Sequence, residues 1–127
     1  RFAYYTGARQ GELRTLSSDH IRHRYVIGKV GRRQIKITEQ ARQVLDEMPV
    51  LWNYSRGYVC KTFKSNMVRL KIEDARFHDL RRTFGLNLIR KGMSIFQVSK
   101  LLGHQSVTTT EKHYAPLLAT DIEDFTL

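Results

Sequence analysis

Apolar residues recur at helical spacing along most of the chain, and strict alternation takes over only once. RFAYYT, residues 1–6, reads as the end of a helix stopped by Gly7, after which ARQGELRTL starts a second short helical stretch. Between Arg24 and Thr38 the runs RYVIGK and RQIKIT alternate β-branched and polar residues on either side of VGR, whose Gly31 suits a tight turn. This pattern predicts a β-hairpin with strands near 24–29 and 33–38. Thr38 then caps a helix in which Ala41, Val44, Leu45 and Met48 recur at i, i+3, i+4 and i+7, with Pro49 just past its end.

Residues 50–60 (VLWNYSRGYVC) carry no clear period, because Gly57 interrupts it, and are expected to form a loop with a short strand, Trp52 and Tyr54 lying in the core or at its rim. KTFKSNMVRLKI, 61–72, places Phe63, Met67 and Leu70 on one helical face and Lys and Arg on the other, a face for DNA or for water. FHDLRRTFGLNLIRKG predicts a helix closed by Gly92, and Ser94 with Gln97 forms a capping box for IFQVSKLL, with Met93 and Val98 as the hydrophobic staple. That helix stops at Gly103. SVTTTEKHYA begins another, with Thr108 and Glu111 as its capping box and Pro116 constraining Ala115 at its end, and LLATDIEDF adds an amphipathic turn or two. The expected fold class is mainly α with one small β-hairpin, an α+β domain without internal repeats.

Charge narrows the partners. Among 127 residues, 22 Lys and Arg face 12 Asp and Glu, a formal net charge of +10, which suits a polyanion, nucleic acid before a membrane surface. No run of eighteen apolar residues exists to span a bilayer. The single Cys60 excludes an internal disulfide framework, and with five His and no CxxC spacing the expectation is a metal-free, cofactor-free cytoplasmic protein. The chain opens on Arg1 with no signal-peptide pattern, and it reads as a piece of something longer.

A few Arg and His positions carry more than charge. On a helix starting at His78, Leu80, Phe84 and Leu88 fall at about 200°, 240° and 280° and Ile89 at about 20°. Arg81 at about 300° and His78 at 0° lie inside that apolar arc, while Arg82 at about 40° lies at its edge. A cation on a buried face needs either a carboxylate or a cavity meant for an anion. Arg9, just after Gly7, is aimed by the backbone at an interhelix turn, and Glu12 at i+3 can orient or neutralise it. Two Arg from separate elements suit the non-bridging oxygens of a phosphodiester. Lys29 is a third cation, in a hairpin where solvation is its ordinary role. Taken singly, Tyr114 is a half-buried helix tyrosine and His104 a histidine answering a helix dipole.

TGARQGEL, FHDLRRTFG and LLGHQSVTTTEKHYA, in this order, resemble the catalytic domain of the tyrosine recombinases, the phage integrase family. The likeness runs from Thr6 to about Pro116. It implies that Arg9, His78, Arg81, His104 and Tyr114 build one phosphate site, with Lys29 matching the family's hairpin lysine and Arg32, Arg33 and Lys36 as rivals for that role. It implies further that Tyr114 attacks the scissile phosphate in line, leaving a 3′-phosphotyrosine and a free 5′-hydroxyl, without ATP or metal. Arg9, Arg81 and His104 would hold the non-bridging oxygens, His78 would assist proton transfer or positioning, and Lys29 would protonate the leaving oxygen.

The expected partners are double-stranded DNA and further copies of the chain, a homotetramer on DNA, in a bacterial or phage-encoded protein at the nucleoid. Residues 1–127 would be the C-terminal catalytic domain, truncated at its N-terminal side and lacking the family's core-binding domain. Two other departures are Arg82, where many members have a second His, and HYAP in place of a YTH-like ending. The alternatives are a type IB topoisomerase, which relaxes supercoils from a similar site, and a relic integrase that binds DNA without cutting it.

Overall fold

Glycine 7 fixes the first corner of the chain, which is described here by a computed structural model at residues 1–48, 50–122 and 126. Helix α1 (Phe2–Thr6) ends at Gly7 with φ 69°, and a Cβ there would lie 2.6 Å from Phe84 Cδ1. Helix α2 (Gln10–Arg14) follows directly. A third short helix, α3 (Ser18–His23), was not apparent from the apolar pattern, since SDHIRH buries no residue, but Ser17 caps it by accepting from the His20 N–H at 3.3 Å.

The hairpin forms with shorter strands and another register than expected. Strands β1 (Tyr25–Gly28) and β2 (Gly31–Gln34) pair antiparallel, Val26 opposite Arg33 and Gly28 opposite Gly31, so that Lys29 and Val30 make the turn. Gly31 is not in the turn centre but follows it, at φ 93°, where a glycine lets a two-residue turn rejoin the strand. Helix α4 (Glu39–Asp46) is capped by Thr38 as predicted, and Pro49 lies outside the described residues.

Helix α5 (Arg56–Arg69) starts five residues earlier than the pattern suggested, and no strand forms within 50–60. Ser55 is its cap, accepting from Tyr58 N–H at 3.1 Å, and Gly57 sits in the first turn, where it breaks nothing. Helix α6 (Asp79–Arg90) closes on Gly92, whose N–H reaches Ile89 O while Met93 N–H reaches Leu88 O. Helix α7 (Ile95–Leu102) carries the predicted Ser94 and Gln97 capping box and stops at Gly103, φ 72°. Helix α8 (Val107–Leu118) is capped by Ser106, which accepts from the Thr108 N–H, so Thr108 is inside the helix rather than its cap. Pro116 does not end α8. The helix passes through it, and Ala119 N–H bonds back to Ala115 O. A 3₁₀ turn over Ala119–Asp121 follows, and residues 123–125 and 127 of the tail lie outside the described residues.

Among the described residues two apolar clusters result. Phe2, Ala3, Leu13, Val26, Ile35 and Val44 join α1, α2, the hairpin and α4, while Phe84, Val98, Leu102 and Tyr114 join α6, α7 and α8. Gly7 sits where the two meet, touching Phe84 and Leu102. Replacing it by alanine forces a left-handed backbone on a residue with a Cβ and drives that Cβ into the buried Phe84 ring. Together these should cost about 2 to 4 kcal/mol. Gly7→Ala is therefore expected to lower Tm clearly in thermal unfolding, and an unchanged Tm would show that the corner is slack.

Candidate active site

Backbone geometry aims Arg9. It occupies the N-cap position of α2 with extended backbone (φ −75°, ψ 153°), and its N–H donates to Glu12 Oε1 at 2.7 Å. This is the returning half of a capping box, since an arginine side chain has no acceptor to complete the other half. The Glu12 carboxylate does not neutralise the Arg9 guanidinium by close pairing. Arg33 takes it instead, Nε to Oε2 at 2.7 Å and Nη2 to Oε1 at 2.9 Å. Arg9 Nη1 stands 3.8 Å from Glu12 Oε2 and is buried with no hydrogen-bond partner among the described residues. Burial opposes ionisation of Glu12, but the Arg33 bond, the Arg9 N–H and both guanidinium charges outweigh it and hold the carboxyl below its usual pKa.

Arg81 is 3% exposed, as its place on the apolar arc of α6 predicted, whereas Arg82 projects into solvent. Among the described residues no carboxylate pairs with Arg81. Its Nη1 donates to Gly7 O at 2.8 Å and its Nη2 to Leu102 O, so two backbone carbonyls at helix ends hold the cation in place. Burial first, then the Arg9 and Arg33 charges, pull its pKa down to about 9, which leaves it charged at pH 7.

The turn between α7 and α8 supplies His104. Its Nδ1 lies 2.6 Å from Oγ1 of the buried Thr110, one turn into α8. Burial, then Arg81 and Arg9, push its pKa down to about 4. Tyr114 is 2% exposed and packs with Phe84, Val98 and Leu102. Its hydroxyl rests against the Cα of Gly85, one helical turn beyond Arg81, where a Cβ would lie 2.2 Å from it. Burial raises the phenol's pKa, and Arg81 and Arg82 act in the opposite direction.

Arg9, Arg81 and His104 are thus brought together, with His78 and Tyr114 beside them. His78 is not on a buried face: α6 begins at Asp79, and His78, as its N-cap, precedes the packed turns and is exposed. Its pKa is nonetheless lowered, by partial burial first and then by Arg81, Arg82 and Arg9. Lys29 stands exposed in the hairpin turn and is not among the charges that shift His78, Arg81 or His104. Three participants were missed in the sequence: Arg33 as partner of Glu12, Thr110 as partner of His104, and Gly85 as the seat of the phenol. Among the described residues no group of three or more His, Cys, Asp or Glu is arranged to hold a metal ion, and no helix is long and apolar enough to cross a membrane.

Residues 53–120 match the phage integrase family, 68 of the 127 residues. A shufflon-specific DNA recombinase of Escherichia coli is 26% identical over 120 residues, which cover 85% of this chain and 31% of that protein. Among solved structures, the Tn1549 transposon integrase in complex with circular intermediate DNA superposes with a TM-score of 0.68 at 17% identity, over 96% of this chain and 55% of that one. XerA recombinase gives the same TM-score at 20% identity, over 96% of this chain and 56% of its own. The mainly helical fold with its two-stranded sheet is that of these enzymes' matching regions. The chain spans about a third of the shufflon recombinase and about half of the two solved chains.

The charge crowding has a measurable sign. His104 has a folded pKa near 4 against 6.5 for an ordinary histidine, so the unfolded chain takes up this proton first. The stability tied to the neutral ring is complete above pH 6.5 and is lost as pH falls from there towards 4. Imidazole titration by NMR should give His104 a midpoint well below 6.5, and His104→Gln should flatten the decline of Tm across that window. A midpoint at or above 6.5 would show that the arginines do not act on this ring.

Proposed function

The chain belongs to the phage integrase family, and from that premise we propose that it is the catalytic portion of a site-specific DNA recombinase that cuts and rejoins strands through a phosphotyrosine. One observation carries the reading: two guanidinium groups from separate elements, neither closely paired with a carboxylate among the described residues, act on the His104 imidazole, and one of them, Arg81, acts also on the buried Tyr114. Such an excess of fixed positive charge attracts an anion, and a phosphodiester gains negative charge as it passes through a pentacoordinate state.

Tyr114 Oη attacks the phosphorus and loses its proton, the phosphorus to O5′ bond breaks, and the 5′-oxygen leaves as a hydroxyl. A phenol held above its usual pKa is a poor nucleophile at rest, so the site must lower the energy of the phenolate and of the phosphorane together. Arg9 and Arg81 supply charge to the non-bridging oxygens, and His104, uncharged at pH 7, supplies a hydrogen-bonding group whose orientation Thr110 sets. His78, exposed at the start of α6, assists proton transfer. Lys29, exposed in the hairpin turn, swings onto bound DNA and protonates the leaving oxygen. The phosphotyrosine retains the energy of the broken bond, and a second 5′-hydroxyl reverses the step on a new strand. DNA is the substrate in this reading, four copies of the chain assemble on it, and the setting is a bacterial or phage-borne enzyme at the nucleoid. The matches to recombinases and an integrase do not favour a type IB topoisomerase or a non-cutting relic.

The test is a nicked suicide DNA carrying the cognate site, incubated with the full-length enzyme that contains this chain. Wild type should form a covalent adduct, and Tyr114→Phe should form none while binding the DNA within a few-fold of wild type. Arg81→Ala should slow single-turnover cleavage by about 10²–10³-fold, and Arg82→Ala, with its exposed side chain, by far less. An adduct with Tyr114→Phe, or equal losses for Arg81 and Arg82, would refute the assignment.

A further inference from the structure

Glu12 is a fully buried carboxylate between two arginines, and it pairs closely with only one of them. Arg33 engages both oxygens in a fork and uses its remaining terminal nitrogen on Leu101 O at 3.0 Å. Its side chain is 9% exposed, and it threads past Gly103, where a Cβ would meet Arg33 Cδ at 2.7 Å, and past the Gly28 and Glu12 contact on the hairpin side. Glu12 meanwhile accepts the Arg9 backbone N–H but leaves the Arg9 guanidinium at 3.8 Å, with Nη1 buried and, among the described residues, without a hydrogen-bond partner. A buried carboxylate pairs with whichever cation reaches it best, and the bidentate geometry of Arg33 wins here.

We propose that Arg33 is a positioning residue that occupies Glu12 and thereby keeps the Arg9 guanidinium open to a phosphate. Without Arg33, the nearest cation to the Glu12 carboxylate is Arg9, and the side chain meant for the anion would be closed onto an internal partner. The same bond to Leu101 O ties the hairpin to the end of α7, next to the turn that carries His104. The inference rests on the reading of this cleft as a DNA phosphate site, but its central statement, that Arg33 keeps an anion site open, has its own readout.

Inorganic phosphate is titrated against the chain by calorimetry at constant ionic strength, with thermal unfolding as the check on folding. Arg33→Met should weaken phosphate binding by about tenfold or more, and Arg33→Lys, which leaves one carboxylate oxygen free, by an intermediate factor. The decisive variant is the pair Glu12→Gln with Arg33→Met. It removes both charges of a buried ion pair, a change that folds tolerate, and glutamine still accepts the Arg9 N–H through its Oε1. Nothing then competes for Arg9, and phosphate binding should return to within about threefold of wild type. A residue that served only to fasten the hairpin would show no such rescue, so a folded double variant as weak as Arg33→Met overturns the proposal. So does wild-type affinity in Arg33→Met, or a wild-type chain that binds no phosphate. The suicide-substrate assay separates the two readings. If the phosphate series holds while wild type forms no adduct, the clamp stands and the recombinase reading falls. If wild type forms the adduct while Arg33→Met and wild type bind phosphate alike, the recombinase reading stands and the clamp falls.

Discussion

A buried arginine held by neutral carbonyls is the constraint on which this structure turns. Arg81 donates to Gly7 O at the end of α1 and to Leu102 O at the end of α7. Both are carbonyls that a helix leaves without an intrahelical partner, so a single guanidinium closes two helix ends at once. The arrangement locates three segments relative to one another: the Gly7 turn that precedes Arg9, helix α6, and the end of α7 that precedes His104. It also leaves the charge itself uncancelled. A carboxylate partner would have stabilised Arg81 more simply and removed its use, because the cation would already be neutralised.

The same economy recurs around Glu12. Among the described residues Glu12 is the carboxylate that lies with Arg9, Arg33 and Arg81, and the surplus positive charge reaches its titratable neighbours: after burial, it lowers the pKa of His104 and His78 further, and it opposes the rise that burial gives Tyr114. The part of these shifts that the arginines cause has one remedy. A phosphodiester entering the cleft would supply the missing negative charge, relieve the repulsion among the arginines and raise the histidines towards their ordinary range. Positive charges held this close repel one another, and an anion among them would offset that repulsion.

The parts of the site that were legible in the sequence were those written in local spacing. Arg81 and Arg82 differ by one position on α6, and the helical period separated the buried one from the exposed one correctly. Gly7, Gly92, Gly103 and the Ser94 and Gln97 box marked helix ends through backbone chemistry that acts within a few residues. What failed depended on register or on distant packing. Placing Val30, Gly31 and Arg32 in the hairpin turn would set Lys29 opposite Arg33, whereas the observed register sets the buried Val26 opposite Arg33. An odd slip of this kind turns a strand over, and it is what hid Arg33 as a largely covered side chain on the Glu12 side. Pro116 suggests a helix end because its lost hydrogen bond is a local fact, while the α8 contacts that carry the helix to Leu118 are not. The Thr110 hydroxyl beside His104 was equally invisible, because nothing local distinguishes it from Thr108 and Thr109.

The central claim is that Arg9, Arg81 and His104 form one anion site whose charge the fold leaves unanswered. It is tested most directly by a crystal structure of the chain soaked in tungstate, a tetrahedral oxyanion heavy enough to be located without ambiguity. The account predicts one tungstate within hydrogen-bond distance of both guanidinium groups, with Arg81 still bonded to Gly7 O and Leu102 O, and Arg33 still on Glu12. Tungstate bound only elsewhere on the basic surface, or a cleft left empty at saturating concentration, would contradict it.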